Sequence, residues 1–116
     1  MDLTSGTIPT EIGCLIKLKY LYSNGFNLGG TIPLTIGKLT RLSHLEIVNS
    51  SLRGMIPSIL EMLSRLTHLT LHNSMMYSSR LTGTIPAILG SLTYLTSLML
   101  LSRDLEGTIP LSLGSD

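Results

Sequence analysis

Three histidines, His44, His68 and His72, a single cysteine, Cys14, and the carboxylate of Glu46 are the side chains of this chain with the widest chemical range. Imidazole serves as acid, base and metal ligand, and a thiolate serves as nucleophile or ligand. Each of those uses needs partners in a set arrangement: a structural zinc ion takes four ligands, and a nucleophile needs a base within hydrogen-bond reach. If His68 and His72 share one strand, they stand roughly 13 Å apart along it and cannot meet His44 around one ion. Glu46 is then only a diagonal candidate for a third ligand to His44 and His68. HExxH, CxxC, a Gly-rich phosphate loop and a Ser, His and acid constellation are all missing. The expectation is a protein that is not an enzyme and uses no metal or other cofactor.

Bulk properties narrow the class of partner. The 116 residues suit one domain, and 43% apolar against 13% charged residues argues for a packed chain. Eight Lys and Arg against seven Asp and Glu give a net charge of +1 without a basic run or an aromatic platform, so neither nucleic acid nor a membrane surface is an expected partner. One cysteine excludes an internal disulfide framework and leaves the redox compartment open. An apolar run of about 18 residues is lacking, and residues 1–10 show neither a basic n-region nor an apolar h-region, so no anchor or export signal is expected on this segment.

With one Phe and no Trp, the core must be built from Leu and Ile, and these recur. A Gly-x-Ile-Pro element begins at Gly6, Gly30, Gly54, Gly83 and Gly107, at intervals of 24, 24, 29 and 24 residues. Between the copies runs LxxLxxLxL: Leu39, Leu42, Leu45 and Ile47, then Leu63, Leu66, Leu69 and Leu71, then Leu92, Leu95, Leu98 and Leu100. The first copy, Leu15, Leu18, Leu21 and Ser23, ends polar. A fixed period in the twenties means one supersecondary unit per repeat, too small to bury its own apolar face and therefore stacked on its neighbours. Period-two alternation places Leu45 and Ile47 inward and Glu46 and Val48 outward on a short strand, and successive strands form a parallel sheet. After Pro33, the spacing of Ile36 and Leu39 predicts a helical or 3-10 turn on the opposite, convex side, with Pro pre-set for its first position and Gly37 marking its end.

Aligned by this period, the outward strand positions form a candidate binding face: Tyr20, Tyr22 and Asn24; His44, Glu46 and Val48; His68, Thr70 and His72; Ser97, Met99 and Leu101. His44 and His68 share a column, and strands about 4.8 Å apart bring their rings into contact range. The simplest use of that pair is as polar surface residues on a binding face. The apolar last row, ending in Met99 and Leu101, suits either a contact surface or an interior repeat. Four strands of this length project to roughly 250 Å², against about 800 Å² per partner in a standard interface, so a partner must also use loops or flanks.

The string Leu28-Gly29-Gly30-Thr31-Ile32-Pro33-Leu34-Thr35-Ile36-Gly37, repeated at 24 residues, resembles plant-specific leucine-rich repeats. Such repeats build the ectodomains of plant receptor-like kinases and receptor-like proteins and the whole of polygalacturonase-inhibiting proteins. The resemblance implies an α/β solenoid coiled as a right-handed superhelix. Its parallel strands would line the concave face, with short 3-10 or helical turns and Gly-x-Ile-Pro segments, these forming a second small sheet, opposite. It further implies an inward ladder of Asn after the strand, which Asn49 and Asn73 fit, whereas the outer copies carry Gly25 and Ser102. Asn24, one residue early, faces outward by the period-two rule. Asn49-Ser50-Ser51 is also a glycosylation sequon, but a ladder Asn is buried where an acceptor must be exposed. Glu61 stands where positions 13, 37, 90 and 114 carry Gly, which puts the turn after Leu60 in question.

The domain expected is a single one over 1–116, about four 24-residue repeats with partial ends and a five-residue insertion within 74–80. There, Met75, Met76, Tyr77 and Arg80 would suit a binding loop or a tolerated insertion folded over the stack. Function is expected to be recognition of a protein or peptide, as in part of a receptor ectodomain; the alternatives are an intracellular scaffold or spacer and an enzyme-inhibitor module. The resemblance suggests an extracellular or cell-surface place. Neither terminus shows a cap, which points to a piece of a longer protein or to self-association through the ends.

Overall fold

In a computed structural model, residues 5–24, 27–73, 81–84, 92–101 and 104–106 are described. Among these residues are three 3-10 turns and nine strands, β1 (Ser5–Thr7), β2 (Tyr20–Asn24), β3 (Asn27–Gly29), β4 (His44–Ser50), β5 (Gly54–Met55), β6 (His68–Asn73), β7 (Leu81–Thr84), β8 (Ser97–Leu101) and β9 (Asp104–Glu106). The turns are Thr10–Cys14, Leu34–Lys38 and Ser58–Met62. All strand pairings among the described residues are parallel. The principal sheet runs β2-β4-β6-β8, and a second set of strands forms the sheets β1-β3 and β5-β7-β9.

The local structure follows from a change of sequence period within each repeat. Pro33, Ile36, Leu39 and Leu42 are three residues apart, and they are joined by i→i+3 hydrogen bonds, Ile36 N–H to Pro33 O, Leu39 N–H to Ile36 O and Leu42 N–H to Leu39 O, at 3.0–3.1 Å. Three residues per turn is the 3-10 period, so side chains at that spacing eclipse and point one way, here inward. The same chains of bonds link Pro9, Ile12, Leu15 and Leu18, and Pro57, Leu60, Leu63 and Leu66. After the last of these leucines the period drops to two and the chain is a strand. The helical component among the described residues is thus entirely 3-10, and each proline stands just outside its turn, in extended conformation (Pro33 φ −72°, ψ 146°), rather than at the first helical position.

The second repeat contributes a full inward set, Leu28, Ile32, Ile36, Leu39, Leu42, Leu45 and Ile47, all buried. These merge with the equivalent residues of the adjoining repeats into one core running along the stack. Leu15, expected in the core, is 38% exposed because no described repeat covers it on its outer side. Ser23, the polar member of the first copy, is buried in the column of Ile47 and Leu71.

Glycines serve two different purposes. Gly6, Gly30 and Gly54 have φ of 78°, 74° and 84°, the left-handed region that side chains with a Cβ avoid, so the Gly of these three Gly-x-Ile-Pro elements is required by the backbone. Gly37, expected to end its turn, instead lies inside it, and its role is close approach: a Cβ there would collide with Ile59 Cγ1 of the next turn. A Cβ on Gly13 would sit 2.9 Å from Thr35 Cβ in the same way. This explains why Glu61 leaves its turn intact, with Leu60 buried and Glu61 exposed. The position needs Gly for the neighbour's sake, not for its own φ, and the segment that follows Glu61 in the stack lies outside the described residues.

Two registers depart from the sequence alignment. In the principal sheet β4 and β6 pair with the expected offset from His44↔His68 to Ile47↔Leu71, then shift so that Ser50, not Asn49, meets Asn73. β4 is bulged there, which interrupts the alignment behind the Asn ladder. The second set of strands pairs Gly6 with Leu28, Gly54 with Leu81 and Gly83 with Leu105, each two residues short of the glycine-to-glycine alignment.

Truncating a fully covered leucine removes contacts and leaves a cavity, so Leu45→Ala and Leu69→Ala are each expected to lower stability by about 2–5 kcal/mol in urea titrations. Effects under about 0.5 kcal/mol at both would contradict their burial. For the glycines, Gly37→Ala is expected to cost about 1–3 kcal/mol by overpacking. Gly29→Ala, whose Cβ would meet only Ser51 O at 3.8 Å, should change stability by less than about 0.5 kcal/mol.

Candidate functional site

The outward face of the principal sheet presents the residues that the sequence aligned there. In β2 the alternation is strict, with Tyr20, Tyr22 and Asn24 exposed and Leu21 and Ser23 buried. His44, Glu46 and Val48 on β4, and His68, Thr70 and His72 on β6, are half-buried, because each of these strands has a neighbour on both sides. Ser97 and Met99 on β8 are exposed. Leu101 lies on β8, but its side chain is outside the described residues. So are the side chains of Asn49 and Asn73, and the whole segment holding Met75, Met76, Tyr77 and Arg80.

Strand pairing sets these positions into columns. Tyr20, His44, His68 and Ser97 are partners in sequence, as are Tyr22, Glu46, Thr70 and Met99. In the third column Asn24 pairs with Val48 and His72 with Leu101, while the bulge in β4 removes the pairing between Val48 and His72. The first column is a run of rings. Tyr20 and His44 have centroids 4.9 Å apart and planes tilted by 44°, and His44 and His68 are stacked at 4.2 Å with planes within 9°. His72 stands four residues further along β6 and is not part of the stack. Among the described residues no three of His, Cys, Asp and Glu are grouped to hold a metal ion, and Cys14 is an exposed thiol.

A row of hydroxyls immediately ahead of the strands holds this column, and the outward-position pattern did not reveal it. Ser43 Oγ donates to Lys19 O at 3.0 Å, Thr67 Oγ1 to Ser43 O at 3.0 Å and Thr96 Oγ1 to Thr67 O at 3.2 Å. Each carbonyl also accepts two backbone N–H groups of the next repeat, as Lys19 O does from Ser43 and His44 at 2.8 and 3.1 Å. The first two hydroxyls further contact the imidazole that follows, Ser43 Oγ to His44 Nδ1 and Thr67 Oγ1 to His68 Nδ1, both at 2.9 Å. The signal was available in the same alignment, where Ser43, Thr67 and Thr96 occupy one column. A second column also went unread: Lys17, Arg41 and Arg65 take the same place in three successive repeats, three residues ahead of β2, β4 and β6, and all three are exposed.

No family model matches the chain, and neither does any curated protein. Solved structures do. The chain is 36% identical to the Arabidopsis receptor kinase HAESA, determined in complex with the peptide hormone IDA and the co-receptor SERK1, over 95% of its own length and 18% of that chain, with a TM-score of 0.83. It is 31% identical to the leucine-rich-repeat ectodomain of the Arabidopsis thaliana receptor kinase SOBIR1, over 96% of its length and 57% of that chain, with a TM-score of 0.83. A plant ice-binding protein matches at 34% identity over 90% of this chain and 32% of its own, with a TM-score of 0.77. The chain thus spans from under a fifth to just over half of these relatives. With the Gly-x-Ile-Pro period, the 3-10 turns and the parallel strands agreeing with them, the chain belongs to the plant-type leucine-rich repeat proteins.

Proposed function

We propose that this chain is a recognition module that binds a peptide or protein through the outward face of the sheet β2-β4-β6-β8, without chemical conversion of what it binds. The observation that carries the reading is the column Tyr20, His44 and His68. Three rings held in contact across three strands make a preformed, amphipathic surface, and such a surface loses little conformational entropy when a partner covers it. The likeness to a receptor solved with a peptide hormone supports the same reading.

The strip is smaller than a standard interface, so the partner also rests on its flanks, and the exposed cations Lys17, Arg41 and Arg65 stand three residues ahead of β2, β4 and β6. On this reading, 1–116 is a single domain of about four repeats with an insertion at 74–80, coiled as a right-handed superhelix with the binding face concave.

Selection of a displayed library of random extended peptides on the immobilised chain tests the proposal. Peptides so obtained are expected to lose at least about tenfold in affinity, or about 1.4 kcal/mol, when His44 and Thr70 are both changed to Ala. They should be indifferent to Thr10→Ala and Glu11→Ala on the turn side. Binding that depends on Thr10 and Glu11 and ignores the strip would place recognition on the opposite face and refute the reading.

A further inference from the structure

The hydroxyl row fixes more than the position of the two imidazoles; it fixes where their protons are. A carbonyl oxygen only accepts, so in the 3.0 Å contact with Lys19 O the proton belongs to Ser43 Oγ. A serine hydroxyl has one proton. With that proton committed to Lys19 O, Ser43 Oγ meets His44 Nδ1 as an acceptor, and Nδ1 must be the protonated nitrogen. Thr67 repeats the arrangement, donating to Ser43 O at 3.0 Å and accepting from His68 Nδ1 at 2.9 Å. The reverse assignment would leave two oxygen lone pairs facing each other at 3.0 Å with no proton between them. In the neutral ring the second nitrogen is then an acceptor.

Since the rings are parallel within 9°, 4.2 Å apart and anchored through the same atom, their Nε2 lone pairs are carried side by side and point the same way. Side-by-side lone pairs do not converge on one point, as the ligands of a metal ion must. They suit hydrogen-bond donors laid across the strands. Glu46, two residues along β4 from His44 on the same outward face, is the one carboxylate among the described outward positions, and it adds a further acceptor and a negative charge.

Resting on the peptide-recognition reading, we infer that His44 and His68 are locked by Ser43 and Thr67 as Nδ1–H tautomers, and that their paired Nε2 acceptors, with Glu46, receive a cationic N–H donor side chain, arginine or lysine, of the bound peptide. Ser43 and Thr67 are positioning residues here: they touch the rings and not the ligand.

Long-range proton–nitrogen NMR of the imidazoles at mildly alkaline pH reads the tautomer directly. His44 and His68 are expected to show protonated Nδ1 and bare Nε2. Ser43→Ala should release His44, and Thr67→Val should release His68, toward the Nε2–H form, each leaving the other ring unchanged. Nε2–H rings in the native protein, or tautomers indifferent to both substitutions, would overturn the lock. Titration with N-acetyl-argininamide should move both Nε2 resonances together, and N-acetylglutamate should not; no response to the first, or an equal response to both, would overturn the ligand class. Neither result depends on a selected peptide. Selected peptides that bind the strip while the rings are Nε2–H would sink this inference alone, whereas locked rings on a strip that no selected peptide touches would sink the recognition reading.

Discussion

Each stretch of two dozen residues in this chain carries more apolar side chains than it can cover by itself, so the neighbours along the stack must cover them. The repeat that contributes Leu39, Leu42, Leu45 and Ile47 is flanked on both sides, and all four are fully buried. The equivalent first repeat is flanked on one described side, and there Leu15 is exposed and Leu18 half-buried. Backbone polarity is settled by the same contacts, since Lys19 O, Ser43 O and Thr67 O are saturated by N–H and O–H groups of the repeat that follows. Apolar cover and the partners of these carbonyls both come from the adjacent repeat.

The outward face inherits its order from that stacking. Parallel strands in register bring like positions together, so a residue type recurring at the repeat period becomes a column, and His44 and His68 become a stacked pair. Tyr20, on an edge strand, keeps contact with His44 at a tilt. The hydroxyls ahead of the strands tie both imidazoles to the backbone of the previous repeat.

The solenoid, its inward residues and its outward columns were legible because two periods, three and then two, are written into leucine and isoleucine spacing with few interruptions. Side-chain chemistry across repeats was harder to read. Ser43, Thr67 and Thr96 look like ordinary turn residues until the carbonyl of the preceding repeat is placed opposite them. Gly37 looks like a turn terminator until Ile59 is seen beneath it. The bulge at Ile47 to Ser50 depends on local backbone geometry that a 24-residue alignment treats as uniform, which is why the pairing of Ser50 with Asn73 was not foreseen. The helical turns were read only as helical or 3-10, and the choice rests on the three-residue chain of bonds from Pro33 to Leu42.

The stagger in the second set of strands bears on the form of any longer array. Along β2, β4 and β6 like residues lie opposite like residues up to the bulge in β4, whereas on the Gly-x-Ile-Pro side each pairing slips by two residues, roughly 6–7 Å of strand. An even slip keeps every side chain on its own face, so the core is undisturbed. A column that advances without slip on one side and with shear on the other carries its strands at two different inclinations, so an extended chain laid along the Gly-x-Ile-Pro side would meet like residues on a diagonal, whereas one laid across the principal sheet meets them in a straight row.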